Sequence, residues 1–305
     1  FVDRGTEDEV ALRHNREIFE NIRLVPRMLR DVSKRNPKTT IFGKEISMPV
    51  AIAPTGAAGM MWYQGELELA KAARDAGIPF SLATGSITSM EKIRSDVGGT
   101  LWMQLYMWKD RSLSHQLVKR AAAAGFEALL VTVDGTVAGN REYNRRNGFA
   151  LPFKYNRKNT WDVLTHPGWM LGCLGRYIAN GGMPKRENFP EEMRKRITSE
   201  YGNGGETRND TLNWEDLKAL RDMWPGKLVV KGILHPEDAE KSLENGADGV
   251  IVSNHGGRNF DAAPTPIEVL PSIIQAVGHK TTVIVDSGFR RGTDIVKAIA
   301  MGADL

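Results

Sequence analysis

Several features that would settle the class of a chain at once are scarce or missing here. Among 305 residues there is one cysteine, Cys173. An internal disulfide is therefore impossible, and a reducing compartment fits. No apolar run approaches the roughly 20 residues of a membrane-spanning helix, and no secretory leader is visible. The charge imbalance is small, +4 at pH 7. No basic block alternates with aromatics, which disfavours nucleic acid as a partner. Cys173 has no neighbours at metal-ligand spacing, so no metal site is expected. Pro54-Thr55-Gly56-Ala57-Ala58-Gly59 is a poor match to the glycine-rich turn of a dinucleotide-binding open sheet.

What the chain does contain is 41% hydrophobic and 26% charged residues, enough for a full core in one large or two ordinary domains. Its apolar residues gather in seven short runs: Pro49–Ala53, Phe80–Ala83, Leu101–Tyr106, Ala128–Val133, Leu228–Val230, Val250–Val252 and Thr282–Val285. Most lack polar alternation, the pattern of parallel strands buried on both faces. Helical stretches follow, at Glu66–Ala76, Met90–Val97, Ser112–Ala124, Trp214–Met223, Pro236–Asn245, Pro266–Ala276 and Asp294–Met301. Most close on glycine, and Pro236 suits a first helical turn.

Seven strand-then-helix units, with another strand beginning at Ala303, predict an α/β chain: a (β/α)8 TIM barrel that stops at the start of strand eight. Phe1 in place of methionine, and the ending Met301-Gly-Ala-Asp-Leu305, are read as the two ends of a fragment. A single domain over residues 1–305 is expected, with one long insertion at about 135–213 after the fourth run. The second half of the insertion, from Lys185 to Asp210, is polar and charged and is expected to be mobile.

Each run ends in a residue with chemical use. Thr55 follows the first and Thr84 the second; Gln104 and Tyr106 close the third; Thr132 and Asp134 end the fourth. Lys231 ends the fifth, His255 and Arg258 follow the sixth, and Asp286 ends the seventh. In a barrel these side chains converge on one mouth. A histidine and an arginine so placed can act together on a small acid, one taking a proton and the other holding a carboxylate. The loop Asp286-Ser287-Gly288-Phe289-Arg290-Arg291-Gly292-Thr293 opens a helix where barrels often bind phosphate on free backbone N–H groups. Lys231 is either a Schiff-base nucleophile or a fixed positive charge. His14, His115, His166, His235 and His279 read as surface or capping residues.

With these residues the chain resembles the FMN-dependent 2-hydroxy acid dehydrogenases and oxidases, relatives of lactate and mandelate dehydrogenase and glycolate oxidase. The signature is Ser253-Asn254-His255-Gly256-Gly257-Arg258. Gly5-Thr6-Glu7-Asp8-Glu9, Pro54-Thr55-Gly56, Gln104-Leu105-Tyr106, Thr132-Val133-Asp134, Val230-Lys231-Gly232 and the loop from Asp286 support it. The resemblance covers nearly the whole chain and implies the barrel fold and FMN as cofactor. It implies His255 as base with Asp134 orienting it, and Arg258 and Arg141 on the substrate carboxylate. Tyr106 is implied as a further substrate contact, and Lys231 as the cation beside the reduced flavin. Pro54, Thr55, Gly56, Gln104, Thr132, Ser253, Asp286, Gly288 and Arg290 are the remaining implied cofactor contacts.

Three departures stand out. Phe1 replaces a tyrosine that usually helps bind the carboxylate, Ala83 replaces a flavin-contacting serine, and the second phosphate loop lies beyond Leu305. A full FMN site is therefore expected only in a longer chain. Gly85, where some members carry tryptophan, leaves room for a large or aromatic substrate. The activity implied is oxidation of an (S)-2-hydroxy acid to the 2-oxo acid. Gly56 after Pro-Thr leans toward a quinone or other carrier as acceptor. The alternatives are an oxygen-reducing oxidase, or a catalytically impaired, membrane-docking FMN protein. A homo-oligomer, a tetramer by resemblance, is expected, in the cytoplasm or peripheral on the inner face of the membrane. The segment Asn159 to Asn180 interleaves Trp161, Trp169, Met170, Leu171, Leu174, Tyr177 and Ile178 with Arg176, and Arg157 and Lys158 precede it. It reads equally as a membrane-docking element or as a lid or subunit contact.

Overall fold

The computed structural model describes residues 3–148, 156–199 and 209–305. Phe1 lies outside them. Helix α1 (Val10–Asn21) is followed by a hairpin, β1 (Thr39–Ile41) and β2 (Lys44–Ile46). Its two turn residues, Phe42 and Gly43, have φ of 50° and 81°, the left-handed pair that a tight hairpin needs.

Six parallel strands follow in sequence order: β3 (Phe80–Ala83), β4 (Leu101–Leu105), β5 (Ala128–Thr132), β6 (Lys227–Ile233), β7 (Gly249–Val252) and β8 (Thr282–Val285). The run Pro49–Ala53, expected as a full strand, makes only a bridge from Ile52 to Phe80. Pro49 and Pro54 bracket it, and prolines cannot donate to a ladder. At the other edge, Val285 N donates to Leu305 O and Asp304 N to Val283 O, so the last residues run beside β8. Helices α2 (Gly65–Ala76), α3 (Met90–Asp96) and α4 (Arg111–Ala123) alternate with β3, β4 and β5.

Strand residues alternate between two apolar clusters. Met103, Leu105, Leu129, Val131, Val230, Val250, Val252 and Val283 belong to the cluster shared with the helices. Trp102, Leu130, Val229, Ile251 and Ile284 belong to the barrel interior, together with Ile41 and Ile46 of the hairpin. Each fully buried aliphatic side chain of this kind stabilises by about 1.5–3 kcal/mol. Burial on both faces explains why the strands read as unbroken apolar runs.

Between β5 and β6 lie α5 (Glu142–Arg146), α6 (Arg157–Thr165), α7 (Pro167–Trp169), a π-helical turn over Met170–Gly175, and α8 (Arg176–Ala179). Trp169, Cys173 and Tyr177 recur every four residues along it and fasten it to the loop that follows Pro54-Thr55-Gly56. Trp169 Nε1 donates to Met60 O at 2.8 Å, Cys173 Sγ approaches Gly59 O at 3.4 Å, and Gln64 N donates to Tyr177 Oη at 3.0 Å. Burial pushes the Tyr177 phenol up to about 12, so it stays neutral.

The expectation that Lys185 to Asp210 is mobile is corrected for its first part. Lys185 bridges Arg196, and Asn188 is fully buried. Asn188 accepts from Met90 N and donates to Thr88 O, both at 2.9 Å, while Phe189 packs edge-on against Trp108. Two anchoring side chains hold a polar stretch that composition alone marks as solvated. Residues 200–208 lie outside the described residues.

The later helices are α9 (Trp214–Met223), α10 (Pro236–Glu244), α11 (Pro266–Val277) and α12 (Gly292–Ala300). Asn213 and Thr265 cap α9 and α11 in reciprocal boxes with Asp216 and Glu268. His235 is indeed a cap, accepting from Glu237 N.

Candidate active site

The interior register of the strands continues past their apolar residues into polar ones. Gln104 stands two places beyond Trp102, Thr132 beyond Leu130, Lys231 beyond Val229, Ser253 beyond Ile251 and Asp286 beyond Ile284. Side chains two apart in a strand share a face. A packed apolar interior therefore changes to a polar layer at the carboxyl ends of the strands.

That layer is buried and hydrogen-bonded. Gln104 is fixed by Thr84 N, which donates to its Oε1 at 3.1 Å, and by Thr132 Oγ1, which accepts from its Nε2 at 2.9 Å. Lys231 is 4% exposed. Its Nζ donates to Ser253 Oγ and to Asp286 Oδ2, both at 2.6 Å. Burial pushes the Asp286 carboxyl up, but the Lys231 charge and hydrogen bonds from Lys231, Ser253 and Ser287 outweigh it. The carboxyl ends below its ordinary value.

Above this layer sits the imidazole of His255. Its Nδ1 lies 2.9 Å from Asp134 Oδ1 and its Nε2 lies 3.1 Å from the Tyr106 hydroxyl. With Asp134 accepting at Nδ1, the neutral ring carries its lone pair on Nε2. Asp134 is itself held by Asn259, whose Nδ2 donates to its backbone oxygen at 3.0 Å. Gly232 makes room for it: at φ 107°, an added Cβ would stand 2.6 Å from Asp134 Cβ. This accounts for glycine after Lys231, and the ladder between β6 and β7 slips its register at the same place.

The two arginines come together. Arg141 Nε donates to Arg258 O at 3.2 Å, and Arg258 Nη1 donates to Arg4 O at 2.6 Å. Burial pulls the Arg258 guanidinium below its ordinary value, against the opposing charge of Asp3. A desolvated cation of this kind gains from an anion placed beside it.

The loop after β8 differs from expectation in detail. Asp294, 2% exposed, accepts from both Arg290 N and Arg291 N at 3.0 Å. Two backbone N–H groups at this helix start are thus already used by an acid in the first helical turn. Arg290 is exposed, and its guanidinium bonds to Phe289 O. Thr55 and Gly56 are exposed at the end of the bridged first run. A Cβ added at Gly56 would meet nothing within 4 Å, and one at Gly85 only Gly56 Cα at 3.9 Å. The turns after the first two strand positions therefore border open space.

The family model for FMN-dependent dehydrogenases matches residues 1–305. The chain belongs to that family. It is 42% identical over 304 residues to (S)-mandelate dehydrogenase of Pseudomonas putida, covering 100% of this chain and 75% of that protein. It is 38% identical over 306 residues to an L-lactate dehydrogenase of Vibrio parahaemolyticus, covering 100% and 79%. Among solved structures, the monotopic membrane protein (S)-mandelate dehydrogenase superposes with a TM-score of 0.92 at 42% identity, over 99% of this chain and 79% of that one. Mandelate oxidase with (S)-2-phenylpropionate superposes with a TM-score of 0.79 at 36% identity, covering 100% and 77%. The fold is the TIM barrel of these relatives, and FMN is the family's cofactor.

The residues present fit such a group. A flavin needs hydrogen-bonding partners around a polar ring edge and open space for the ring. The buried layer of Gln104, Thr132, Lys231 and Ser253 supplies the first, and the gap bordered by Gly56 and Gly85 supplies the second. The sequence reading did not assign roles to Asn15, Ser287 or Asn259. Asn259, adjoining the signature, was the one within reach of inspection; the others become visible only through their partners across the fold.

Proposed function

We propose that this protein oxidises an (S)-2-hydroxy acid to the 2-oxo acid, with FMN held by Pro54, Thr55, Gly56, Gln104, Thr132, Lys231, Ser253, Asp286, Gly288 and Arg290. When bound, FMN supplies a two-electron acceptor. The observation that carries the proposal is His255, held between Asp134 and Tyr106 beside two adjoining arginines. Oxidation removes two electrons and two protons from the substrate, one proton from Cα and one from the hydroxyl. His255 Nε2 takes one of these protons, Asp134 stabilises the imidazolium that results, and the two electrons with the other proton would pass to bound FMN. Arg258 and Arg141 fix the carboxylate, so that the reacting carbon faces the base. Tyr106 orients the hydroxyl end.

An anaerobic titration tests the proposal. Glycolate, lactate and mandelate are added to the FMN-loaded protein, and bleaching of the flavin absorbance by at least one of them is expected. No bleaching by any of the three would sink it. The open space at Gly85 favours mandelate, whose phenyl group needs room. Gly56 supports a quinone or other carrier as the physiological acceptor.

Arg258→Lys keeps the charge but loses the fork. One charge-assisted hydrogen bond is worth about 1.5–3 kcal/mol, so kcat/KM should fall roughly ten- to a hundredfold. An unchanged kcat/KM would remove Arg258 from the carboxylate site.

A membrane-docking role is supported by the outer face of the 157–179 segment. Trp161, Leu164, Leu171 and Ile178 are 69%, 56%, 66% and 61% exposed, while Trp169, Cys173 and Tyr177 fasten the segment to the barrel. Among the described residues no helix is long and apolar enough to cross a membrane, so contact would be with the interface. Replacing the four outward residues by serine, with the three anchors intact, should abolish sedimentation with anionic liposomes and leave dye reduction unchanged. Equal sedimentation of both proteins would point to a subunit contact.

A further inference from the structure

Asn15 is 2% exposed in the middle of α1, on the side of the helix that faces the signature loop. Its amide forms a closed pair with that of Asn254. Asn15 Nδ2 donates to Asn254 Oδ1 at 2.8 Å, and Asn254 Nδ2 donates back to Asn15 Oδ1 at 2.7 Å. Asn254 uses its remaining capacity within its own loop, accepting from Gly257 N at 3.2 Å and donating to Pro264 O at 3.1 Å. Asn254 immediately precedes His255, which stands at φ 58°, followed by Gly256 at 68° and Gly257 at 71°. A left-handed histidine is uncommon and persists where its surroundings over-determine it. Gly257 presses on the same helix, since a Cβ there would lie 2.6 Å from Leu12 N. Thr6 N donates to Gly257 O, and Ala11 N to Asp261 Oδ1, each at 3.0 Å.

We propose that Asn15 is a positioning residue for the reaction: through Asn254 it holds the left-handed turn that aims His255 between Asp134 and Tyr106. The inference rests on the reading of His255 as the base. Two independent features favour it over a merely structural role. The bonds are reciprocal, so each amide fixes the other's orientation. They also act at the residue next to the base, in a loop whose backbone is strained there. The neighbouring Arg16 serves a different loop, with Nη1 on Gly288 O at 3.2 Å and on Asp294 Oδ2 at 2.6 Å. It provides a control on the same helix.

The test compares Asn15→Leu, Asn15→Asp and Arg16→Met as FMN-loaded proteins. FMN content and kcat and KM across pH are measured for each. The groups facing His255 are Asp134 after β5 and Tyr106 after β4, with Arg258 further along its own loop; none is altered. Asn15→Leu should retain FMN and lose about ten- to a hundredfold in kcat with little change in KM, the cost of a misplaced catalytic group. The acid limb of kcat/KM should be displaced, because the ring is no longer held against Asp134 as in the parent. Asn15→Asp keeps one of the two amide bonds, and its kcat should likewise fall with little change in KM. It decides the matter if Asn15→Leu does not fold. Arg16→Met should weaken FMN binding and leave the limb in place. An unmoved limb and unchanged kcat in the Asn15 variants, or an equal displacement in Arg16→Met, would overturn the proposal. Full activity in His255→Asn would instead overturn the assignment of the base.

Discussion

His255→Asn should leave FMN bound and lower turnover by about 10²–10⁴-fold, the usual contribution of a positioned acid–base group. Asparagine occupies similar space near the ring position and can still donate to Asp134, but it accepts no proton at neutral pH. The buried layer beneath it, Gln104, Thr132, Lys231 and Ser253, keeps its own hydrogen bonds without the imidazole. Flavin content read from absorbance and turnover with a soluble dye together check the expectation. Turnover close to the parent at equal flavin content would show that the base is another group. Loss of flavin would show that His255 holds the cofactor site together.

Lys231→Met should have a comparably large effect, by a different route. The substitution removes the cation from a carboxylate that is largely enclosed, the two side chains being 6% and 22% exposed. Breaking a buried pair in this way costs about 3 kcal/mol, toward the lower end of its range because Asp286 keeps some contact with solvent. The pH dependence has a definite sign. In the parent, the folded-state value of Asp286 lies below its unfolded value. Its stabilising contribution is therefore complete above the ordinary carboxylate range and is lost as pH falls through the lowered value. In the variant the carboxylate has burial without its partner, so its charge is a penalty at neutral pH that protonation relieves. The gap in Tm between parent and variant should be widest near neutrality and narrow on acidification. A gap independent of pH would mean that the loss comes from packing and not from the ion pair. With FMN bound, removal of a nearby cation should also lower the flavin reduction potential, since reduction adds negative charge. An unmoved potential would confine Lys231 to a structural role.

The repeating layout of the barrel was present in the sequence, because two-sided burial leaves short unbroken apolar runs and helices end on glycine. The boundaries of Trp214–Met223 were read to the residue, and the structure shows Asn213 and Asp216 capping its start. The chemical residues were visible because each lies at the end of a run, where the strand register carries it past the apolar interior. What sequence order could not show was which of them meet. The hydrogen bonds of His255 to Asp134 and Tyr106 join residues 121 and 149 positions apart, and only the parallel pairing of the strands into one sheet brings those strand ends to one place. The reduction of Pro49–Ala53 to one bridge, the seating of Asn188 and Phe189, and the capture of the Arg290 and Arg291 N–H groups by Asp294 were likewise decided by tertiary partners. Local pattern reports what a residue does for its own element. Asn15 lies on a helix whose own pattern gives no reason for a buried amide, and its partner, 239 residues away, supplies one.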